Sequence, residues 1–304
     1  MNPQADKDDT VLRLSRDAKA TVKVGDYSRG GKNRVPVKAA DHDFHPSAMV
    51  MPIGILLPRY DALTVYPVTS KVTSDCLADI LFHWWQANKE RFPKVKTLLL
   101  NLDNCPECHS RRTQFLARLV EFVGQTGVGL QLAYYPPYHS KYNPIERCWG
   151  VLENHWNGDL MDSVETVVEF TRSMTWKGKH PDVELVTKTY RTGVKLSQKA
   201  MAILETKAQR LKGLHKWFLF ITTETIAYGT IIPCKSLTTS TLPKSVVARE
   251  GRDFFRGVVW SEPDQYFAHC NDSKPISKDR NGLSENLWRE AETRLVRLVC
   301  WLAS

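Results

Sequence analysis

Asp103 stands at the end of a long apolar run and is the first candidate for a chemical role. The run, "KVKTLLLNLD" (94–103), is continuous and closes on the acid, which predicts a buried central strand. A strand end is where a rigid scaffold presents a side chain to a site. The alternative interpretation is a turn built from Asp103 and Asn104, because both residue types tolerate tight turns.

Glu146 is the second candidate, within the stretch "YYPPYHSKYNPIERCWG" (134–150). The two prolines end a strand, and Asn143 followed by Pro144 predicts the start of a helix. Glu146 then falls at the third helical position, where it could be the acidic half of a capping box. A helix N-terminus also favours an ionised carboxylate, which is what a hard metal ion requires. The two interpretations are compatible, so Glu146 stays a candidate metal ligand.

The helix that would carry Glu146 has an apolar stripe beside that residue. The stripe consists of Ile145, Trp149, Leu152 and Trp156. Glu146 lies one residue off the stripe, at its edge. We expect these tryptophans, like Trp84 and Trp85, to be core residues rather than platforms on which nucleic-acid bases stack.

The remaining elements must bring these acids together. Strands are predicted at 10–17, 20–25, 49–57, 62–68, 94–103 and 128–135, and helices at 74–88, 110–127 and 144–156. Early strands followed by alternating helices and strands predict an α/β fold with a mixed sheet and helices on its faces. Helical material is also predicted from Val164 to about Leu211, and an amphipathic helix within 284–304.

Composition restricts the class of protein. The chain of 304 residues is 42% hydrophobic, which allows one or two domains with a sizeable core. A formal net charge of +9 favours a polyanionic partner such as nucleic acid. The polar N-terminus is unlike a targeting peptide, and the longest apolar run, 49–58, is far shorter than the about 20 residues of a membrane helix. We therefore expect a cytoplasmic protein. Its seven cysteines should be free thiols rather than a disulfide framework.

Several segments, taken together and in order, resemble one family of enzymes. An apolar strand ending in Asp-Asn, a helix, a strand, then Pro-Pro-Tyr and Asn-Pro-Ile-Glu before a helix are similar to the catalytic core of mariner-like DDE transposases. The segments that resemble the Rhodopirellula-type DDE transposases of bacterial insertion sequences are "SRDAKATVKVGDYSRGGKNR" (15–34), "DHDF" (41–44), "TSD" (73–75), "LNLDN" (101–104), "SRRTQFL" (110–116), "YYPPYHSKYNPIERCWG" (134–150) and "GLHKWF" (213–218). The resemblance covers roughly residues 10–221.

The resemblance implies a ribonuclease-H-like fold in which three carboxylates hold two Mg²⁺ ions, with Mn²⁺ as a substitute. Asp103 and Glu146 match the second and third acids, and Asp17 in "LRLSRDAKA" matches the first, with Asp26 as its rival. The alternative interpretation of Asp17 is a surface acid at a strand end. Ions in such sites activate a water or a DNA 3′-hydroxyl and stabilise the leaving oxygen during displacement at phosphorus.

Cysteines replace two residues that the family pattern favours after Asp103. Cys105 stands where the family usually has glycine, and Cys108 where it has asparagine. The string "CPECH" (105–109) also matches a c-type haem attachment motif, which would need an exported protein. Zinc binding by Cys105, Cys108 and His109, with Cys148 as a further ligand, is another alternative.

Basic residues near the predicted site are candidates for DNA contacts. Arg29, Lys32 and Arg34 lie in a glycine-rich stretch that suits phosphate contacts, which position DNA without reading its sequence. The alternative is a solvated basic turn. His139 and Lys141, beside Glu146, are further candidates. The string "DHDFH" (41–45) contains four potential metal ligands, but a polar loop is the preferred interpretation.

The expected organisation follows from these assignments. We expect a polar segment at 1–9, a ribonuclease-H-like core at 10–160, a helical C-terminal part of that core at 161–221, and an extension at 222–304 with a terminal helix. Because family members carry a helix-turn-helix region before the first strand, the chain is expected to be N-terminally truncated, and inactivity of this form is one possibility.

Three functions are compatible with the sequence. The first is a transposase that cleaves and joins DNA of an insertion sequence, acting on transposon ends and target DNA, with a homodimer as one possible assembly. The second is a ribonuclease-H-like nuclease, which would hydrolyse DNA without joining strands. The third is a non-catalytic DNA-binding remnant of a transposase.

Overall fold

A mixed sheet, with nine strands among the residues that the structure describes, forms the frame of the protein. The structure, a computed structural model, describes residues 1–27, 45–136 and 142–228. The strands are β1 (Val11–Ala18), β2 (Val22–Val24), β3 (Ala48–Leu57), β4 (Ala62–Val68), β5 (Thr97–Leu102), β6 (Gly129–Tyr134), β7 (Asp182–Val183), β8 (Gln209–Arg210) and β9 (Phe218–Ile221). Their β-branched and aliphatic residues suit a pleated surface that is covered on both faces.

The strand order is β7-β4-β3-β1-β5-β6-β9-β8, with β2 paired to β3. Strands β1, β3 and β4 form an antiparallel meander, while β5 and β6 run parallel to β1. The predicted ribonuclease-H-like mixed sheet is therefore confirmed. Because β1 and β5 are parallel neighbours, their carboxyl ends lie at one edge of the sheet, and we call this edge the carboxyl edge.

Helices cover both faces of the sheet. They are α1 (Asn2–Ala5), α2 (Ser74–Asn88), α3 (Thr113–Thr126), α4 (Glu146–Trp156), α5 (Val164–Ser173), α6 (Gln198–Thr206) and α7 (Thr223–Tyr228), with one 3-10 turn at Lys89–Arg91. Helix α2 begins as predicted, because the Thr73 side chain accepts a hydrogen bond from the N–H of Cys76. Helix α3 ends at Thr126, and Gly127 caps it with a φ of 70° that is easy only for glycine. None of the helices among the described residues is long and apolar enough to cross a membrane.

Two apolar clusters fill the space between sheet and helices. Helices α2 and α3 pack on one face through residues that include Leu81, Trp84, Phe115 and Leu119. Helix α4 packs on the other face through Ile145, Trp149, Leu152 and Trp156, which are at most 5% exposed. The predicted apolar stripe and the core assignment of its tryptophans are confirmed, and Trp84 and Trp85 are buried as well.

The C-terminal part of the core is less helical than the sequence indicated. The helical material predicted from Val164 to about Leu211 is confirmed only for α5 and α6, because α5 ends at Ser173 and the chain returns to helix only in α6. Lys177, Gly178 and Gly193 take positive φ values in between, which interrupts any helix. After α6 the chain adds β8 and β9 to the sheet. The predicted terminal helix within 284–304 lies outside the described residues, and the domain limits stay predictions.

Candidate metal centre

Two adjacent strands position the first two acids. Asp17 is the seventh residue of β1, and Asp103 directly follows the last residue of β5. Side chains alternate between the faces of a strand, so Leu12, Leu14 and Arg16 face α2 and α3, while Asp17 faces α4. The same alternation along β5 turns Asp103 toward α4. Both acids therefore lie at the carboxyl edge and on the same face of the sheet.

Helix α4 supplies the third acid from its first residue. The helix begins at Glu146, with Ile145 at the N-cap position, and no side chain caps it. The predicted capping box is therefore wrong: Asn143 is not the N-cap, and Glu146 is not the third helical residue. A turn precedes the helix instead, in which the N–H of Glu146 donates to the carbonyl of Asn143. The Asn143 side chain forms hydrogen bonds with residues of β1 instead.

The three acids converge into one group. Asp17, Asp103 and Glu146 each offer a carboxylate oxygen, and these oxygens lie within 4.8 Å of one another. Within the described ranges, no other group of three or more histidine, cysteine or acidic side chains has metal-ligand spacing. The acids come from far apart in the chain, so only the complete sheet and α4 can assemble the group.

Burial and mutual repulsion raise the pKa of two of these acids. Burial is the main cause that raises the pKa of Asp17 to about 6, with a smaller contribution from the charge of Glu146. Burial likewise raises the pKa of Asp103 to about 7, and the charges of Asp17 and Glu146 add to the shift. Like charges held this closely disfavour each other's ionisation. A bound cation would relieve that repulsion.

The hydrogen bonds of these acids differ. The indole Nε1–H of Trp149 donates to Oδ2 of Asp17 at 2.9 Å, which favours the carboxylate and opposes the rise of its pKa. Oδ1 of Asp103 is buried and has no hydrogen-bond partner among the described residues. Buried polar oxygens normally have partners, so this orphaned atom fits a ligand. Three carboxylates with such an atom suit a hard divalent cation.

Ser15 and Asn143 join α4 to β1. The Ser15 hydroxyl donates to Oδ1 of Asn143 at 2.5 Å and accepts from the N–H of Ile145 at 3.0 Å. The amide of Asn143 donates to the carbonyl of Arg16 at 3.2 Å. Ser15 and Asn143 are both fully buried. We call these bonds the Ser15 latch; they fix the turn before Glu146 next to the strand that carries Asp17.

Gly54 lets α4 approach the sheet closely. It pairs with Asp17 in the β1–β3 register. A Cβ atom on Gly54 would lie 2.6 Å from Cδ1 of Ile145 and 2.6 Å from Cη2 of Trp149. Ser15 and Gly54 were not among the residues predicted from the sequence, and Trp149 was predicted only as a core residue. A glycine inside the apolar run "MPIGILL" was the available signal, because it often marks a close approach of another element.

Few of the other predicted site residues lie within the described part of the chain. Asp26, the rival first acid, is exposed and lies outside the acidic group. Every proposed DNA contact falls outside the described residues: Arg29, Lys32, Arg34, His139 and Lys141. The same holds for the first four residues of "DHDFH" (41–45). These assignments stay predictions.

The cysteines after Asp103 correct one expectation. Cys105 and Cys108 form a disulfide with their Cα atoms 5.3 Å apart, so the prediction of free thiols is wrong for this pair. The chain makes a tight turn there, in which the N–H of Cys108 donates to the carbonyl of Cys105. Cys76 and Cys148 are free and buried. Paired sulfurs offer no thiolate, so the zinc interpretation has no ligand set among the residues described.

A groove of about 570 Å³ lies on the opposite face of the sheet, between α2, α3 and residues 184–188. Its charged side chains are largely paired with one another: Asp79 accepts from both Arg118, at 2.6 Å, and Lys188, at 2.7 Å. The groove therefore lacks the convergent acids found at the carboxyl edge.

Comparison with known proteins identifies one family. The family described as the Rhodopirellula transposase DDE domain matches residues 2–223. No curated protein matches the chain. A solved structure titled "Mos1 transposase paired-end complex with left transposon end" is 12% identical with a TM-score of 0.40, covering 52% of this chain and 46% of that one.

A second solved structure is titled "Crystal structure of the Mos1 mariner paired end complex with Mn". It is 11% identical with a TM-score of 0.36, covering 53% of this chain and 46% of that one. The chain thus spans less than half the length of either solved protein.

Proposed function

The chain belongs to the Rhodopirellula transposase DDE-domain family, and on that premise we propose that it catalyses metal-dependent cleavage and strand transfer of the DNA of an insertion sequence. Asp17, Asp103 and Glu146 are the proposed metal ligands. The observation that carries the proposal is the convergence of three carboxylates within 4.8 Å, one of them with a buried oxygen that lacks a protein partner. The net charge of +9 supports a polyanionic substrate.

Oxygen ligands favour Mg²⁺ as the resident ion, with Mn²⁺ as a substitute. Both ions accept carboxylates, and Mg²⁺ keeps several waters when it binds protein. When bound, such ions supply activation of a water or a DNA 3′-hydroxyl and stabilisation of the leaving oxygen. The protein's part is to hold the three carboxylates in place. The indole of Trp149 holds one oxygen of Asp17, and the Ser15 latch holds the start of α4.

A DNA cleavage and strand-transfer assay on the element's own ends tests the proposal. Asp103→Asn replaces a ligand by a neutral side chain of the same shape, and we expect product formation to fall by about 100-fold or more, since metal ions contribute several kcal/mol to such reactions. The matched control is Asp26→Asn, an exposed acid outside the group, which should keep full activity. Equal product from the Asp103 variant and the unsubstituted chain would eliminate the assignment.

The same assay separates the alternatives. Cleavage that never leads to strand joining would support a ribonuclease-H-like nuclease. DNA binding without any Mg²⁺-dependent product would support a non-catalytic remnant.

A further inference from the structure

The turn between β8 and β9 lies at the same sheet edge as the acidic group. Strand β9 is antiparallel to β6, with Ala133 opposite Phe218, so β9 begins where β6 ends. The N–H of Tyr134 donates to the carbonyl of Trp217 at 2.9 Å. Since β6 runs parallel to β5, residues 211–217 lie at the carboxyl edge, two strands away from the strand that leads into Asp103.

Arg210 ties this turn to the loop that follows Asp103. Its guanidinium donates to the carbonyl of Ser110 at 2.8 Å and to the carbonyl of His215 at 3.1 Å. Ser110 belongs to the segment between Asp103 and α3. The two segments therefore form one continuous surface at the carboxyl edge, where the acidic group also lies.

Cations are concentrated on this surface. The pKa of His215 is lowered by burial and by the charges of Lys216, Arg210 and Arg111. The pKa of His109 is lowered by burial, Arg112 and Arg111, against one opposing contribution from Glu107. Both histidines thus experience a positive surrounding potential. We call the four cations Arg111, Arg112, Arg210 and Lys216 the basic edge.

Two of the four cations in the basic edge have no acidic partner among the described residues. Glu205 pairs with Arg210 at 2.8 Å. Arg112 and Lys216 have no salt bridge in the part of the chain that the structure describes, and the Nε–H of Arg112 is buried without a hydrogen-bond partner. Helix α3 follows Arg112 and has no side-chain cap at its start, so its N-terminal dipole adds partial positive charge. This excess of hydrogen-bond donors and positive charge favours the binding of an anionic partner.

We propose that the basic edge binds the phosphate backbone of the DNA substrate next to the point of cleavage. The identity of the partner as DNA rests on the proposed function. A phosphate at the acidic group needs nearby cations, because three carboxylates repel a polyanionic strand. Duplex DNA carries one charge per about 1.7 Å of its axis, so a strand that enters the site presents further phosphates to neighbouring surfaces. Arginine forks suit bidentate phosphate contacts.

The proposed contacts of the basic edge are with DNA phosphates that flank the reacting phosphate, not with the reacting phosphate itself. The pKa of Asp103 is raised by burial and by the two neighbouring acids, and none of the four cations is among the causes of its shift. Contacts of this kind position DNA and contribute affinity without reading bases. These contacts should therefore contribute the same binding affinity for any DNA sequence.

The test measures binding of a fluorescent random-sequence DNA duplex by anisotropy at several salt concentrations. The full chain carries Asp103→Asn and EDTA is present, so no cleavage occurs. Adding Arg111→Gln and Lys216→Gln should reduce the slope of log K against log salt by about 2, since each lost phosphate contact removes about 0.9. Affinity near 0.1 M salt should fall by about tenfold or more.

Two further variants make the result specific. Lys94→Gln with Lys96→Gln removes the same charge from two exposed lysines just before β5, at the opposite edge, and should leave the slope unchanged. Arg111→Lys with Lys216→Arg keeps the charge and should keep the slope. Thermal unfolding midpoints identify any variant that fails to fold; if the double glutamine variant does, Lys216→Gln alone decides the outcome, with an expected fall in slope of about 0.9.

An unchanged slope in the glutamine variant, an equal loss in the Lys94 and Lys96 control, or no DNA binding by the parent chain would overturn the proposal. Because the assay contains no metal, its result is independent of catalysis. A chain that binds through the basic edge but never cuts would refute only the proposed catalysis. If the chain cuts DNA but its glutamine variant keeps the salt slope of the parent, only the proposed role of the basic edge is refuted.

Discussion

Trp149 connects the apolar core to the acidic group. Its ring is buried against the sheet, while its Nε1–H reaches Oδ2 of Asp17 at 2.9 Å. Burial raises the pKa of Asp17, and this hydrogen bond opposes the rise. Trp149 lies three residues after Glu146 and therefore on the same side of α4. One helix thus supplies both an acid and the donor that orients a second acid.

Trp149→Phe should weaken metal binding with little change of fold. The substitution keeps an aromatic ring and removes the N–H, so Oδ2 of Asp17 loses its donor and the pKa of Asp17 rises further. Loss of an outer partner of a metal ligand typically costs about 10- to 100-fold in metal affinity. Titration with Mn²⁺ followed by electron paramagnetic resonance, at pH 6 and pH 8, measures the effect, which should be larger at pH 6.

Trp156→Phe is the matched control for this prediction. Trp156 is fully buried, lies on the same helix and belongs to the same apolar cluster, but its indole does not donate to Asp17. It should cost stability without a pH-dependent loss of Mn²⁺ affinity. Equal losses of affinity in the two variants would show that packing, not the N–H, matters at Asp17.

The Ser15 latch sets the position of helix α4 relative to strand β1. Its hydrogen bonds connect residues of β1 with the turn before Glu146, more than 120 positions later in the chain. All three partners, Ser15, Asn143 and Ile145, are fully buried. A buried donor or acceptor that loses its partner costs about 1–3 kcal/mol. The latch therefore contributes both to stability and to the geometry of the acids.

Ser15→Ala should reduce stability and metal affinity together. It leaves Oδ1 of Asn143 and the N–H of Ile145 without their partner, so we expect a loss of about 1–3 kcal/mol in the free energy of unfolding. A shifted Glu146 should also lower Mn²⁺ affinity by about tenfold. Urea unfolding and Mn²⁺ titration measure the two effects.

The control for Ser15→Ala is Thr171→Ala, which removes another fully buried hydroxyl. Thr171 donates to the carbonyl of Val167 at 2.7 Å within α5 and touches no part of the latch. Its loss should change stability but not Mn²⁺ affinity. If Ser15→Ala lowered only stability, the latch would hold the fold without positioning the acids.

Replacing Gly54 or Gly150 by alanine should change the stability of the fold in opposite directions. At Gly54 a methyl group would meet Ile145 and Trp149 at 2.6 Å, both buried, so Gly54→Ala should destabilise the fold by about 1–3 kcal/mol. Gly150 lies inside α4 with nothing within 4 Å of an added Cβ, so Gly150→Ala should stabilise it by about 0.5–1 kcal/mol. Urea unfolding of the two variants measures both signs, and a Gly54 variant as stable as the parent would contradict the close approach.

The limits of sequence-based prediction are visible at this same scale. The long apolar run before Asp103 and the stripe of α4 have clear periodicity, so strand β5, helix α4 and the faces they bury were predictable. Asn143 has the chemistry of an N-cap, but Ser15 and Arg16 take its side chain, which no local pattern reveals. Strands β8 and β9 are short and gain their stability by pairing with β6, a tertiary effect that overrides local propensity.

Assembly of the acidic group is a property of the whole molecule. Asp17, Asp103 and Glu146 meet only when β1, β5 and α4 are all in place, so the unfolded chain has no such site. Without a cation the group destabilises the fold, because three carboxylates share one partly buried region. Folding and metal binding should therefore be linked.

The metal-free protein should lose stability as the pH rises. The pKa values of Asp17 and Asp103, about 6 and about 7, exceed the unfolded value near 3.8, so the folded chain binds more protons than the unfolded chain between about pH 4 and 7. The stabilisation is complete below about pH 4 and is lost through pH 6–7. In EDTA we expect the unfolding midpoint to fall by about 5 °C between pH 5 and pH 8.

Divalent cations should reverse this loss at pH 8. A ligand at 100 times its dissociation constant stabilises the folded state by about 2.7 kcal/mol, so Mg²⁺ or Mn²⁺ should raise the midpoint by about 5 °C or more. Calorimetry of Asp103→Asn isolates the group from other titrating residues: this variant removes one of the repelling charges, so its midpoint should depend less on pH and respond weakly to metal. Parallel pH curves for the two proteins, with no metal response in either, would show that the acids do not act as one cation site.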